Sequence, residues 1–221
     1  MNVFSMFDST TLLAYTAAAT ALVLIPGPGT AWIATQALAG GTRRGAQAAL
    51  GLETATLLHA LAAGLGLSAI LATSAMAFEL VKYAGAAYLI WLGIKAWRER
   101  APALDRGTLD HGATPKAPST STGVYLRSVL TGLLNPKVAI FFLAFLPQFV
   151  HPERGWVPLQ FLALGALLSI IGLAHSLVLS LLIGRFGRRA PANPRFDRWK
   201  RRATGSVFVA LGLRLAMQQR E

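Results

Sequence analysis

A handful of polar residues interrupt long apolar runs, and these are the residues equipped to do chemistry. Glu53 can hold an ammonium group or carry a proton; the alternatives are a carboxylate reaching the interface or pairing with Arg43 or Arg44. Lys137 can attract a carboxylate, pair with Glu53 or close a cavity, and it can equally donate to backbone carbonyls freed elsewhere. His59 and His175 titrate near neutrality and can relay protons, although a lone histidine in an apolar run also serves as a hydrogen-bonded packing residue. Two backbone motifs accompany them, Pro26-Gly27-Pro28-Gly29 and Asn135-Pro136. Proline lacks a backbone donor and clashes with the preceding turn, at ~3 kcal/mol or more inside a helix. A helix broken in this way presents unpaired carbonyls on its incoming half and unpaired N–H groups on its outgoing half. The first suit an ammonium or a cation, the second a carboxylate. Pro26, Gly27, Pro28, Gly29, Glu53, Asn135, Pro136 and Lys137 therefore form the candidate binding set, and Glu53, His59 and His175 are the candidate proton carriers. This chemistry is recognition of a small zwitterion, not catalysis. The chain has no cysteine and no HExxH or GxxxxGK[ST] pattern, so the sequence points to no metal site, no cofactor and no enzyme.

The elements that would position these groups follow from composition. Of 221 residues, 54% are hydrophobic and 14% charged, where a soluble domain has roughly 25% charged. The apolar residues fall into six runs, 11–38, 46–72, 78–97, 124–150, 158–183 and the shorter 204–217. Most are near the ~20 residues a helix needs to cross ~30 Å of hydrocarbon. Residues 1–8 contain no Lys or Arg, so no signal peptide is read and the first run is taken as a mature membrane helix. Residues 99–123 are polar and carry Pro102, Pro115, Pro118 and a Ser/Thr run, the composition of a flexible cytoplasmic linker. It separates residues 1–98 from 124–221, three spans each. Because three is odd, two similar halves would insert with opposite topology. The expectation is an all-α integral membrane protein of six transmembrane helices in two inverted three-helix repeats, with helices 1 and 4 broken near the midplane. That is a plan common in secondary transporters. Pro kinks packed against neighbours, without a ligand, are the plainer alternative.

The net charge is +12. Its basic residues lie between the apolar runs, which fits membrane orientation better than nucleic acid, so no nucleic-acid partner is expected. Arg43 and Arg44, the residues from Lys95 to Arg127, and the cluster from Arg185 to Arg202 fall on one side. Lys82, Arg154, Arg214 and Arg220 fall on the other. The positive-inside rule makes the first side cytoplasmic and leaves both termini outside. The 185–202 cluster also suits anionic lipid at the cytoplasmic face. Trp91, Trp97, Trp156 and Trp199 read as interface anchors, Gln148 with Pro147 as an interfacial turn, and Gly64, Gly66, Gly85, Gly93, Gly165, Ser169 and Gly172 as close-packing faces between helices. A homo-oligomer is left open.

Several stretches resemble one family. Ile25-Pro26-Gly27-Pro28-Gly29 followed by Gly41-Thr42-Arg43-Arg44-Gly45 is similar to the N-terminal signature of the LysE-type exporters, the nearest branch being the homoserine/threonine-resistance (RhtB) branch. The segment from Tyr83 to Gly93 resembles that family's third span. Gly132 to Lys137, with Phe141-Phe142 and Phe145-Leu146-Pro147-Gln148-Phe149, resembles its fourth. The resemblance runs from about 11 to 217. It implies a multi-pass carrier of the bacterial inner membrane that exports amino acids or related metabolites, coupled to the proton gradient. From the residues and the resemblance together, the expected function is proton-coupled export by alternating access. The alternative is a membrane scaffold or assembly protein that moves nothing.

Overall fold

The computed structural model describes residues 6–73, 75–98 and 120–186, with separate positions between 202 and 217, and every regular element among them is helical. Helix α1 is Ser9–Leu24, α2 Pro28–Thr73, α3 Ala75–Arg98, α4 Ser121–Leu133, α5 Pro136–Ile140 and α6 Val157–Phe186. A π-helical turn, Phe141–Phe145, and a 3-10 turn, Leu146–Phe149, prolong α5. Of the expected sixth span only separate positions are described, helical at 205, 206, 209, 210, 212, 213, 216 and 217; most of the linker and most of the 185–202 basic cluster, with Trp199, lie outside the described residues.

Local chemistry sets the limits of these elements. Asp8 caps α1, its carboxylate accepting from Thr11 N at 2.7 Å. The helix stops at Leu24 because Pro26 forces its predecessor out of helical geometry, and Ile25 is extended at φ −71, ψ 122. Helix α2 starts at once, with Pro28 in the first helical position and Ala31 N donating to Gly27 O at 2.9 Å. It bends sharply at Gly40 and Gly41, the latter at φ 72, ψ −171, a region essentially reserved for glycine. The polar loop expected between the first two spans is thus a two-glycine corner. Thr120 caps α4 through Gly123 N at 3.2 Å, so helix begins three residues before the expected start of the fourth span at 124. After Leu133 the chain turns through Leu134 and Asn135. Asn135 caps α5 by accepting from Lys137 N at 3.1 Å.

By length and apolarity, Pro28–Gly66 and Val157–Phe186 can each cross a membrane, the first passing through the glycine corner; Ser121–Leu133 with Pro136–Phe149, bent by 49°, makes a third. Helix α1 has 16 residues and rises about 24 Å, short of the hydrocarbon thickness on its own. The described residues thus carry two or three crossings by this measure, where the sequence suggests six.

Small residues let main chains touch. A Cβ at Gly51 of α2 would lie 2.5 Å from Tyr125 O of α4, and one at Gly64 would lie 3.1 Å from Phe161 Cβ of α6. Between α1, the π turn and α6 lies an aromatic core of Tyr15, Phe141, Phe142, Phe145, Phe149 and Phe161, all buried. Tyr15 donates its hydroxyl to Leu164 O at 2.8 Å, joining α1 to α6. Leu13, Leu80 and Leu134, each more than 70% exposed, lead a belt of outward aliphatic side chains that water would penalise and lipid accepts. At one end, Arg154 donates to Met6 O at 3.1 Å and pairs with Asp8 at 3.6 Å. Beside it, the buried Gln160 ties His151 N, His151 O and Gly155 O together.

Candidate functional site

The two interruptions meet. The loss of a donor at Pro26 deprives Leu22 O of the N–H of residue 26, its partner in a regular helix, and leaves it a long bond from Ile25 N at 3.4 Å. The same break carries Ile25 O away from the N–H of Gly29. Both carbonyls accept from one group, the Lys137 ammonium, at 3.0 Å each. Lys137 stands one residue past Pro136, so its backbone belongs to the second interruption while its side chain completes the first. The ammonium passes beside Gly27, where a Cβ would lie 3.5 Å from Lys137 Nζ, an ordinary van der Waals contact. From the other direction, a Cβ at Gly29 would lie 3.8 Å from Asn135 Nδ2. Asn135 thus caps α5 with its oxygen while its amide nitrogen approaches the start of α2.

Beside this junction is a cavity of about 90 Å³, room for several waters. Its apolar walls are Leu22, Val23, Ile33, Leu52, Val138 and Leu168, and its polar ones Thr30, Glu53, Thr56, Asn135, Lys137, His175 and Ser176, with Gly29 among them. Glu53 comes from α2, with the Ser169 and Thr56 hydroxyls at its carboxyl. It fits because α6 has no side chain at Gly172, where a Cβ would lie 2.5 Å from Glu53 Oε1. Gly29 and Thr30, in the first turn of α2, have no carbonyl one turn back to pair with inside that helix, and both line the cavity. The first half of α2 is held to α4 by Trp32, which donates to Ser128 Oγ at 2.7 Å.

Of the sequence candidates, Gly29, Glu53, Asn135, Lys137 and His175 come together on the cavity. Pro26, Gly27, Pro28 and Pro136 shape the backbone around it and are not among its walls. His59 lies elsewhere: its Nε2 is 3.4 Å from Gly132 O, a long contact, and its ring stacks on Phe142 at 5.9 Å. Glu53 and Lys137 share the cavity, yet among the described residues no ion pair joins them. Gln148 of the 3-10 turn donates to Ala144 O of the π turn at 3.0 Å, away from the cavity walls. Sequence reading missed Thr56 and Ser176. Thr56 lies three residues after Glu53, on the same helix face. Ser176 continues the Leu168, Gly172 stripe of a largely apolar helix.

Comparison with known proteins places these features in a lineage. Residues 20–219 match the family described as LysE type translocator. An uncharacterized membrane protein of Vibrio cholerae is 37% identical over 92% of this chain and 95% of its own length. The homoserine/homoserine lactone efflux protein of Salmonella typhi is 34% identical over 92% and 94%. The leucine efflux protein of Klebsiella pneumoniae is 28% identical over 98% and 99%. No solved structure matches.

Proposed function

This chain belongs to the LysE type translocator family, a membrane transporter and not an enzyme, and from that premise we propose that the cavity between the two interruptions is its solute site. The solute is a small amino acid or a close derivative of one, exported across the bacterial inner membrane. The relatives' printed names, homoserine/homoserine lactone efflux and leucine efflux, support this class. The observation that carries the reading is the convergence of Gly29, Thr30, Glu53, Asn135, Lys137 and His175 on one cavity.

Each end of a zwitterion has a counterpart there. The free N–H groups of Gly29 and Thr30, at the positive end of α2, and the Asn135 amide suit the carboxylate. The amine has one anionic partner among the cavity walls, Glu53, since the carbonyls of the first interruption are already bound to Lys137. The apolar side accepts the solute's own side chain. Residues 1–98 and 124–221 are inverted repeats, and the site between their interrupted helices is exposed to each face in turn. Both termini lie outside, and protons move inward as solute moves out, with Glu53 and His175 on the cavity as their carriers.

Proteoliposomes loaded with labelled homoserine, threonine or leucine test this. Wild-type protein is expected to show saturable counterflow that an inward proton gradient accelerates, and Glu53→Gln to insert normally and lose at least tenfold in flux. Wild-type flux in Glu53→Gln removes the carboxylate from the site, and an absence of counterflow for every amino acid tried overturns the function.

A further inference from the structure

The carbonyl pair at the end of α1 has the makings of a binding site in its own right. Leu22 and Ile25 are buried, and their two carbonyls, left with one long backbone bond between them, Ile25 N to Leu22 O at 3.4 Å, must find further donors, because lipid offers none. They sit at the negative end of the α1 dipole. One ammonium serves both at 3.0 Å, and it reaches them from a different element, passing beside Gly27. Nothing in this arrangement requires the ammonium to be covalently attached.

We propose that Leu22 O and Ile25 O form a seat for a primary ammonium or a small monovalent cation, and that the Lys137 side chain fills it as a tethered ligand. The chain thus carries its own cation where it would otherwise have to recruit one from solution. Removing the tether opens a seat that a free alkylammonium of matching size fills, since it brings the same N–H donors. A quaternary ammonium has no N–H to offer and does not. This holds whichever solute the protein exports, and its readout is stability, so it can fail while the proposed transport stands.

The test is the thermal unfolding of purified Lys137→Ala in detergent, at constant ionic strength, with ethylammonium, sodium or tetramethylammonium chloride. Lys137→Ala is expected to melt below wild type. Ethylammonium should raise its melting temperature saturably by about 3 °C at tenfold excess over its dissociation constant, sodium by less and tetramethylammonium not at all. Wild type, its seat full, should respond to none of them. Lys137→Met keeps most of the stem and should be destabilised without rescue. Should Lys137→Ala fail to accumulate, the amines are supplied during expression, and recovery of inserted protein by ethylammonium alone supports the seat. Equal response to all three salts, or no response of Lys137→Ala to any amine in either format, overturns it.

Discussion

Gly172 decides whether Glu53 can face the cavity. A methyl group there would press on the carboxylate end of a flexible side chain, which can swing away at little cost in stability. Gly172→Ala is therefore expected to insert and melt like wild type while binding solute about tenfold more weakly. That equals the ~1.5 kcal/mol of one charge-assisted hydrogen bond, and equilibrium binding on purified protein measures it. Asp8 responds to acid instead. The Thr11 N–H holds its carboxyl below the ordinary 3.8, with help from the Thr11 hydroxyl. A carboxyl depressed on folding stabilises the fold above its unfolded pKa, and that contribution is lost as pH falls through the lower, folded value. The melting temperature should drop as pH falls from about 5 to below 3.8, and Asp8→Asn, which keeps the cap, should flatten that drop. At this scale the sequence picked out four polar residues that line the cavity. Glu53, Asn135, Lys137 and His175 stand out because polar groups are costly in apolar runs. Thr56 and Ser176 cost little in a helix, so composition did not flag them. The donor role of Lys137 toward Leu22 O and Ile25 O was one of several open to it, because no spacing rule links positions so far apart in sequence.

Helix ends were more legible than helix interiors. The Asn135-Pro136 start follows from capping chemistry alone, and so does the stop before Pro26. The Gly40-Gly41 corner was not foreseen, since two glycines beside Arg43 and Arg44 read equally well as an ordinary loop. The π turn at Phe141–Phe145 has no local signature either; it buries Phe141, Phe142 and Phe145, the first against Tyr15 of α1 and the second against His59 of α2. Glycines that look alike in sequence differ in what surrounds them. Gly51→Ala would drive a methyl into Tyr125 O and Ser128 Cβ of α4. The expected loss is about 1–3 kcal/mol, read as a lower melting temperature. Gly66 has nothing within 4 Å of its would-be Cβ, so Gly66→Ala in the same helix should gain about 0.5–1 kcal/mol. If both substitutions shift stability in the same direction, backbone contact is not what Gly51 provides.

For the molecule as a whole, charge distribution makes the strongest topological statement, and the absence of native cysteine makes it easy to check. Glu153→Cys should react with a membrane-impermeant maleimide in intact cells, while Thr42→Cys should react only in inverted vesicles; the reverse pattern would invert the orientation. What the sequence could not disclose is which parts move together, because that depends on contacts between distant segments. Helix α2 comes from the first half of the chain, yet its main chain lies against α4 at Gly51 and Gly132 and against α6 at Gly45, Gly64 and Gly165. Helices seated on one another's backbones have no side-chain cushion to slide over, so these three form a keel. Amide protons along the keel should be the last to exchange with deuterium. Any swing that opens one face must pivot beside it, about the proline interruption and the glycine corner, leaving its seams shut.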